Sequence, residues 1–298
     1  MRFDATISFP GLGIEINPST GFSIFNFEVK WYAVIIASGL FLAVLYALLR
    51  SKDFGLNSDD IMDLILIGTP CAIVGARTYY VIFEWERFFV NNEHWYDFLN
   101  IRQGGLAIYG AVIGAVIGLG VFYLSNKKRR QKLLPAFDIG GLGLLIGQSI
   151  GRWGNFINRE AHGGPTDSFL RMGLETASGT VIYVHPTFLY ESLWNAVGFV
   201  LIHFLSKKRK FDGQVFLYYL IWYGLGRAWI EGMRTDSLYI GPLRVSQVLA
   251  IVTCLAGAGI LLYVLLVKKP DGSKMLVNRQ AQQPEVTEVI TEERAEEE

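Results

Sequence analysis

Charge is scarce in this chain. Of 298 residues, 18% are charged, against nearer 25% in an ordinary soluble domain. The 27 Lys and Arg balance the 27 Asp and Glu to a formal net charge of zero, so no overall basic field exists for nucleic acid. Cysteine is scarcer still. Cys71 and Cys254 are the only two, both inside apolar runs, and there are four histidines. That excludes a disulfide framework and a clustered zinc site, and both thiols read as small buried hydrophobes. No metal and no organic cofactor is expected. The first 28 residues lack a basic stretch followed by an apolar core, so no cleavable signal peptide is expected.

Apolar residues are abundant instead. They make up 51% of the chain, with 32 Gly, 20 Phe, 14 Tyr and 7 Trp, and the mean hydropathy is +0.32. Seven stretches, near 30–49, 61–83, 104–124, 133–151, 187–205, 214–232 and 245–267, are each about the 20 residues a bilayer-spanning helix requires. Lys/Arg clusters at 51–53, 126–132, 206–212 and 268–270 fall on one side of the alternating loops, and the positive-inside rule makes that side cytoplasmic. The expected fold is therefore an all-α polytopic membrane protein. It has seven transmembrane helices, the N-terminus outside, the C-terminus cytoplasmic and an outward-facing loop region. Residues 1–29 read as an external N-terminal segment and 30–267 as the membrane domain. Residues 268–298 read as a disordered acidic tail, being polar and poor in aromatics.

Connections 84–103 and 152–186 lie outside in this scheme, and "VIYV" at 181–184 suggests a short strand or hairpin arm. Gly110, Gly114 and Gly118, and likewise Gly143, Gly147 and Gly151, recur every four residues. Such stripes let backbones approach closely in lipid, which makes the third and fourth helices the expected tightly packed centre.

Ionisable groups near a membrane span are costly and normally face the protein interior or a cavity. Here they gather at the expected outer ends of helices: Arg77; Arg152, Asn155, Asn158 and Glu160; His185, Tyr190 and Glu191; Arg227, Glu231 and Arg234. Tyr223, Arg227, Glu231 and Arg234 are spaced to share one helix face. Glu231 can pair with either flanking arginine, and a purely structural ion-pair network remains one reading. The arginines outnumber the carboxylates that could neutralise them all, which points to an anion. Guanidinium forks suit a phosphate. A phospholipid-modifying enzyme and an anion transporter both fit. One-sided clustering of the polar groups and the lack of matched broken repeats favour the enzyme.

"GRWGNFINRE" at 151–160 carries the chain further. With "KWYAV" (30–34), "GARTYYV" (75–81), "QGGLAIYGAVIG" (103–114), "HPTFLYE" (185–191), "GLGRAWIEGMRTD" (224–236) and "SQ" (246–247), it resembles the bacterial phosphatidylglycerol–prolipoprotein diacylglyceryl transferase family over about residues 15–267. The resemblance implies transfer of the diacylglyceryl group of phosphatidylglycerol to the lipobox cysteine of prolipoprotein signal peptides. A thioether forms and glycerol 1-phosphate leaves. This first step of lipoprotein maturation takes place at the outer face of the bacterial cytoplasmic membrane. The implied partners are phosphatidylglycerol, those signal peptides and the bilayer. By the same resemblance, Arg152 and Arg227 stabilise the leaving phosphate and Asn155 orients the head group. Glu160 and Glu231 hold the arginines, and Tyr32 hydrogen-bonds the lipid head. Arg77, Gly105, Asn158, His185, Tyr190, Glu191 and Arg234 join the substrate site, His185 by organising its loop. Tyr109 stands where some members have histidine; tyrosine is a poor base at neutral pH, so Tyr109 is expected to act as a hydrogen-bonding group.

Overall fold

The computed structural model describes residues 6–25, 27–90, 95–100, 104–176, 178–235 and 237–282. Long apolar stretches become helices: α1 (Trp31–Arg50), α2 (Ser58–Phe83), α3 (Ile108–Leu124), the short basic α4 (Lys127–Arg130) and α5 (Leu133–Asn158). They are followed by α6 (Thr187–Ser206), α7 (Gln214–Met233), α8 (Val245–Tyr263) and α9 (Leu276–Ala281). Among the described residues, five helical stretches are long and apolar enough to cross a membrane: Trp31–Phe54, Ser58–Phe83, Leu133–Asn158, Thr187–Ser206 and Val245–Lys268. The expected third and sixth spans coincide with α3, which is shorter at 17 residues, and α7.

Short strands accompany the helices: β1 (Ile7–Phe9), β2 (Ile14–Ile16), β3 (Gly21–Ile24), β4 (Phe27–Lys30), β5 (Met172–Glu175), β6 (Val181–Val184), β7 (Tyr239–Ile240) and β8 (Leu243–Arg244). The all-α expectation therefore omitted a β component. Strands of two to four residues carry too few alternations to show a period of two.

The chain divides into two units. The first comprises Met1–Ala47 and Asp138–Met275. In it, β2-β1-β5-β6 form an antiparallel sheet, with Ile7 opposite both Ile16 and Leu174 and Met172 opposite Val184. The "VIYV" arm is thus one edge of a sheet whose other half comes from the N-terminal segment. The inner face buries Ile7, Phe9, Met172, Leu174 and Val184 against Phe156 of α5 and Phe188 of α6. The sheet thereby fixes the end of one helix and the start of the next. At the opposite end of α5, the fully buried Asp138 accepts from the N–H groups of Gly213 (2.7 Å) and Phe216 (2.8 Å). That supplies acceptors for orphan donors at the start of α7.

Helices α6 and α7 interlock through two tryptophans. Trp194 Nε1 donates to the Trp222 carbonyl at 3.0 Å, Trp222 Nε1 donates to the Trp194 carbonyl at 2.9 Å, and the rings stack 4.4 Å apart. Each indole lies on a glycine: a Cβ at Gly198 would come within 2.1 Å of Trp222 Nε1, and one at Gly226 within 2.2 Å of Trp194 Nε1.

The second unit comprises Leu48–Phe137 and Leu276–Glu298. Asn57 and Asp60 cap α2 reciprocally, and Lys132 Nζ reaches both Asp60 carboxylate oxygens at 2.7 and 2.9 Å. The glycine stripe of α3 lies on α2, where a Cβ at Gly114 would sit 2.2 Å from the Cys71 carbonyl oxygen. The stripe of α5, in the first unit, meets α1 at Gly39. Close approach is what the stripes provide, for α3 on α2 and for α5 on α1. Within the segment read as a tail, α9 forms because Leu276 is buried and Gln280 donates to the Gly55 carbonyl at 3.1 Å. Residues 283–298, the acidic part, lie outside the described residues.

Candidate active site

The fourth apolar stretch does not stop at Gly151, as its hydropathy suggested. Helix α5 runs two turns further, to Asn158, so Arg152, Asn155 and Asn158 project from a helix rather than a loop. The end is a Schellman motif: Arg159 N–H bonds the Phe156 carbonyl and Glu160 N–H the Asn155 carbonyl, both at 3.0 Å. Arg159 occupies the left-handed C′ position at φ 56°, where a side chain costs about 1–2 kcal/mol. Its buried guanidinium offsets this by donating to the Ile157 carbonyl, to Asn17 Oδ1 and to the Pro18 carbonyl at 2.9–3.2 Å. Arg159 thus ties the N-terminal segment to the helix end. The sequence displayed it inside the motif but gave no sign of that partner.

The first unit brings most of the expected site together. Glu191, on the second turn of α6, is the hub. Arg152 Nη2 donates to its Oε1 at 2.5 Å, Arg227 Nη1 reaches both its oxygens at 3.3 Å, and Arg234 Nη1 lies 3.9 Å from Oε2. Glu231 Oε2 pairs with Arg227 Nη2 at 2.7 Å and lies 4.0 Å from Arg234 Nε. Arg244 donates to the Glu231 carbonyl. Both carboxylates are buried, with side chains 3% and 2% exposed, whereas Arg152 is 21% exposed. Three guanidiniums meet two carboxylates, leaving one surplus positive charge in a poorly solvated place. The spacing on α7 sets Arg227 and Glu231 one turn apart, whereas Arg234 stands just past the helix end in extended backbone and comes near Glu231 from there. Glu191 is instead the shared anchor, a role its position in "HPTFLYE" did not disclose.

Arg152 Nη1 donates to Asn155 Oδ1 at 3.1 Å, and Asn155 Nδ2 to Glu160 Oε1 at 2.9 Å. Asn158 Nδ2 meets the same oxygen at 3.3 Å. Glu160 therefore orients two asparagines and is linked to Arg152 through Asn155. Among the described residues, Arg152 engages two of its five N–H groups. Tyr32, in the first turn of α1, packs its ring on Gly154, where a Cβ would lie 2.7 Å from Tyr32 Cδ2. It is within electrostatic range of Glu160 and Arg152. His185 anchors the 161–166 loop through its backbone: its N–H bonds the Gly164 carbonyl (3.0 Å) and its carbonyl accepts from Gly163 (2.9 Å). Its Nδ1 lies 3.4 Å from the Tyr190 hydroxyl.

Arg77, Gly105 and Tyr109 belong to the second unit. Arg77 donates Nε to the Phe98 carbonyl (2.7 Å), Nη1 to those of Gly104 and Gly105 (2.9 and 3.0 Å), and Nη2 to those of Asp97 and Asn100 (3.0 Å each). All five N–H groups are engaged, and the guanidinium lies 5.0 Å from the Phe88 ring centroid. Two consecutive carbonyls reach one nitrogen because Gly104 and Gly105 adopt φ +86° and +78°. Arg77 is thus a loop clamp with no donor left for a ligand, and Gly105 is part of what it clamps. Tyr109 stands in the first turn of α3, its ring 6.4 Å from that of Tyr79. Gln103, which opens its motif, lies outside the described residues. No group of three or more His, Cys, Asp or Glu able to hold a metal occurs among the described residues.

Comparison with known proteins agrees with the motifs. Residues 19–263 match the family model described as prolipoprotein diacylglyceryl transferase. The phosphatidylglycerol–prolipoprotein diacylglyceryl transferases of Bacillus mycoides strain KBAB4 and Bacillus cereus strain G9842 are each 46% identical over 232 residues. These alignments cover 76% of this chain and 84% of each relative. The same enzyme of Bacillus thuringiensis subsp. konkukian strain 97-27 matches to the same extent, also at 46% identity. With the motif at 151–160 and the arginine cluster both inside the matched region, this chain belongs to the prolipoprotein diacylglyceryl transferase family.

Proposed function

We propose that this protein transfers the diacylglyceryl group of phosphatidylglycerol to the lipobox cysteine thiol of prolipoproteins. The reading includes a bacterial cytoplasmic membrane and seven spans, with the N-terminus outside, the C-terminus inside and the site towards the outer face. Charge placement in the loops and the named relatives support it. The observation that carries it is Arg152, partly exposed, with three N–H groups uncommitted among the described residues, beside Arg227 on the same buried carboxylate.

The chemistry follows. A cysteine sulfur attacks the glyceryl carbon that bears the phosphate. The C–S bond forms, the C–O bond breaks, and glycerol 1-phosphate leaves with the bond's electron pair. The thiol proton passes to a phosphate oxygen or to water. Charge builds on the leaving phosphate, so pre-oriented guanidiniums lower the barrier. Arg152 and Arg227 take that role. Asn155, held by Glu160, orients the head group. Glu191 and Glu231 keep the forks in place, and Arg234 adds positive potential. Tyr32 and Tyr109 hydrogen-bond the lipid head, Asn158 and Tyr190 line its approach, and His185, Arg77 and Gly105 hold the loops. The substrates are phosphatidylglycerol and the apolar signal peptide, both entering from the bilayer.

Purified protein in phosphatidylglycerol liposomes, given a lipobox peptide, yields a thioether product and one glycerol 1-phosphate per turnover. No thioether with both substrates present would overturn the assignment.

A further inference from the structure

One turn deeper along the helices that carry the arginine cluster, polar groups are buried without protein partners. Asn195 is 0% exposed, and neither its Oδ1 nor its Nδ2 has a hydrogen-bond partner among the described residues. Gln148 Oε1 is also buried and unpartnered, while its Nε2 donates to the Tyr219 hydroxyl at 3.1 Å. Register places these groups together. Asn195 follows Glu191 by four residues on α6, Gln148 precedes Arg152 by four on α5, and Tyr223 precedes Arg227 by four on α7. Each therefore shares a face with a member of the cluster, about 6 Å along its helix. The antiparallel pairing of α5 with α6 is set by Arg152 on Glu191 (2.5 Å) and by Ser192 Oγ donating to the Ser149 carbonyl (2.8 Å). That register sets Gln148 across from Asn195.

A buried amide without partners is destabilising, and native proteins resolve it with water or a ligand. The open positions are two amide N–H groups and two carbonyl oxygens. They match a neutral ligand that both donates and accepts, a hydroxyl group. An ammonium head would meet the surplus guanidinium charge one turn away, and these neutral amides offer a second phosphate no counter-charge. A three-carbon polyol is about as long as one helical turn, about 5.4 Å. We propose that Asn195 and Gln148 form a hydroxyl-binding subsite for the glycerol head of the phospholipid, whose phosphate rests on Arg152 and Arg227. This rests on the transferase reading and makes the subsite the source of head-group selectivity. A site built to bond a hydroxyl discriminates strongly against the analogue lacking it.

The test uses the full chain in liposomes with a lipobox peptide and two donors, phosphatidylglycerol and phosphatidylpropanol. The second keeps the phosphate and lacks both head-group hydroxyls. Wild type favours phosphatidylglycerol by about tenfold or more in kcat/KM, and Asn195→Leu brings the ratio near one. Gln148→Met moves it in the same direction by less. A ratio unmoved by Asn195→Leu, or a wild type indifferent to the two donors, overturns the subsite and leaves buried water as the amides' partner. No thioether from either donor would instead defeat the transferase reading. Should Asn195→Leu not fold, inhibition of wild type by glycerol 1-phosphate and by propyl phosphate decides. At least about tenfold tighter inhibition by the former is expected, and equal potency overturns the subsite.

Discussion

Arg77 and Arg152 both lie near the C-terminal end of an apolar helix, and both sit in glycine-bearing motifs, yet their surroundings differ completely. Arg77 faces five neutral carbonyl oxygens, which occupy every N–H it has. Arg152 faces one carboxylate and one amide oxygen and keeps three N–H groups for something else. Residue type and position along a helix are thus poor guides to an arginine's role. What matters is how many donors the fold leaves uncommitted. Backbone carbonyls organise a loop around a guanidinium, whereas a shared carboxylate holds several guanidiniums side by side while leaving part of each fork open.

The sharpest way to break this contrast is Arg152→Lys. Lysine keeps the charge and loses the fork, so transfer is expected to fall by about a thousandfold with the fold intact, as a liposome assay beside a thermal melt would show. A fall of less than tenfold would mean that charge alone suffices. Glu191→Gln comes next. Removing a buried partner of three arginines is expected to cost about 3–5 kcal/mol of stability and about a hundredfold in rate, because the forks lose their common anchor. A faster enzyme would show that Glu191 merely competes with phosphate. Arg77→Lys leaves three donors for five carbonyls. It is expected to expose the chain at residues 97–100 and 104–105 to protease and lower kcat/KM by about tenfold, leaving the preference between donor lipids unmoved. A changed preference would bring Arg77 into direct contact with substrate. Tyr109→Phe is expected to have the smallest effect, about two- to fivefold, from one neutral hydrogen bond. A wild-type rate would remove Tyr109 from the site. A rate above wild type in Tyr109→His would show that a base is limiting.

Hydropathy found the helices because lipid admits few alternatives to a continuous apolar helix. It misjudged the end of α5, since Arg152, Asn155 and Asn158 look like a loop when counted by polarity. They are helical because their side chains bond one another and Glu160. The sheet was legible only as "VIYV": its other strands are three or four residues long, and β1 meets β5 across more than 150 positions. On α7, spacing alone was enough to align Arg227 and Glu231, while Arg234 joins them from the extended residue past the helix end. Glu191 as hub, and the indole pair of Trp194 and Trp222 that locks α6 to α7, depend on contacts between helices, which no one-helix periodicity contains.

By itself the sequence determined the membrane class, the family and most of the polar side chains that the first unit brings together. Each of these is written in local composition, in a 3.6-residue period or in an unbroken motif. Tertiary structure alone decided which arginine is a clamp and which is left with open donors. It also decided that Asn195 is buried with its amide unpartnered among the described residues and that Arg159 fastens the N-terminal segment. Those outcomes depend on which backbone carbonyls and carboxylates packing brings within hydrogen-bond reach of a side chain.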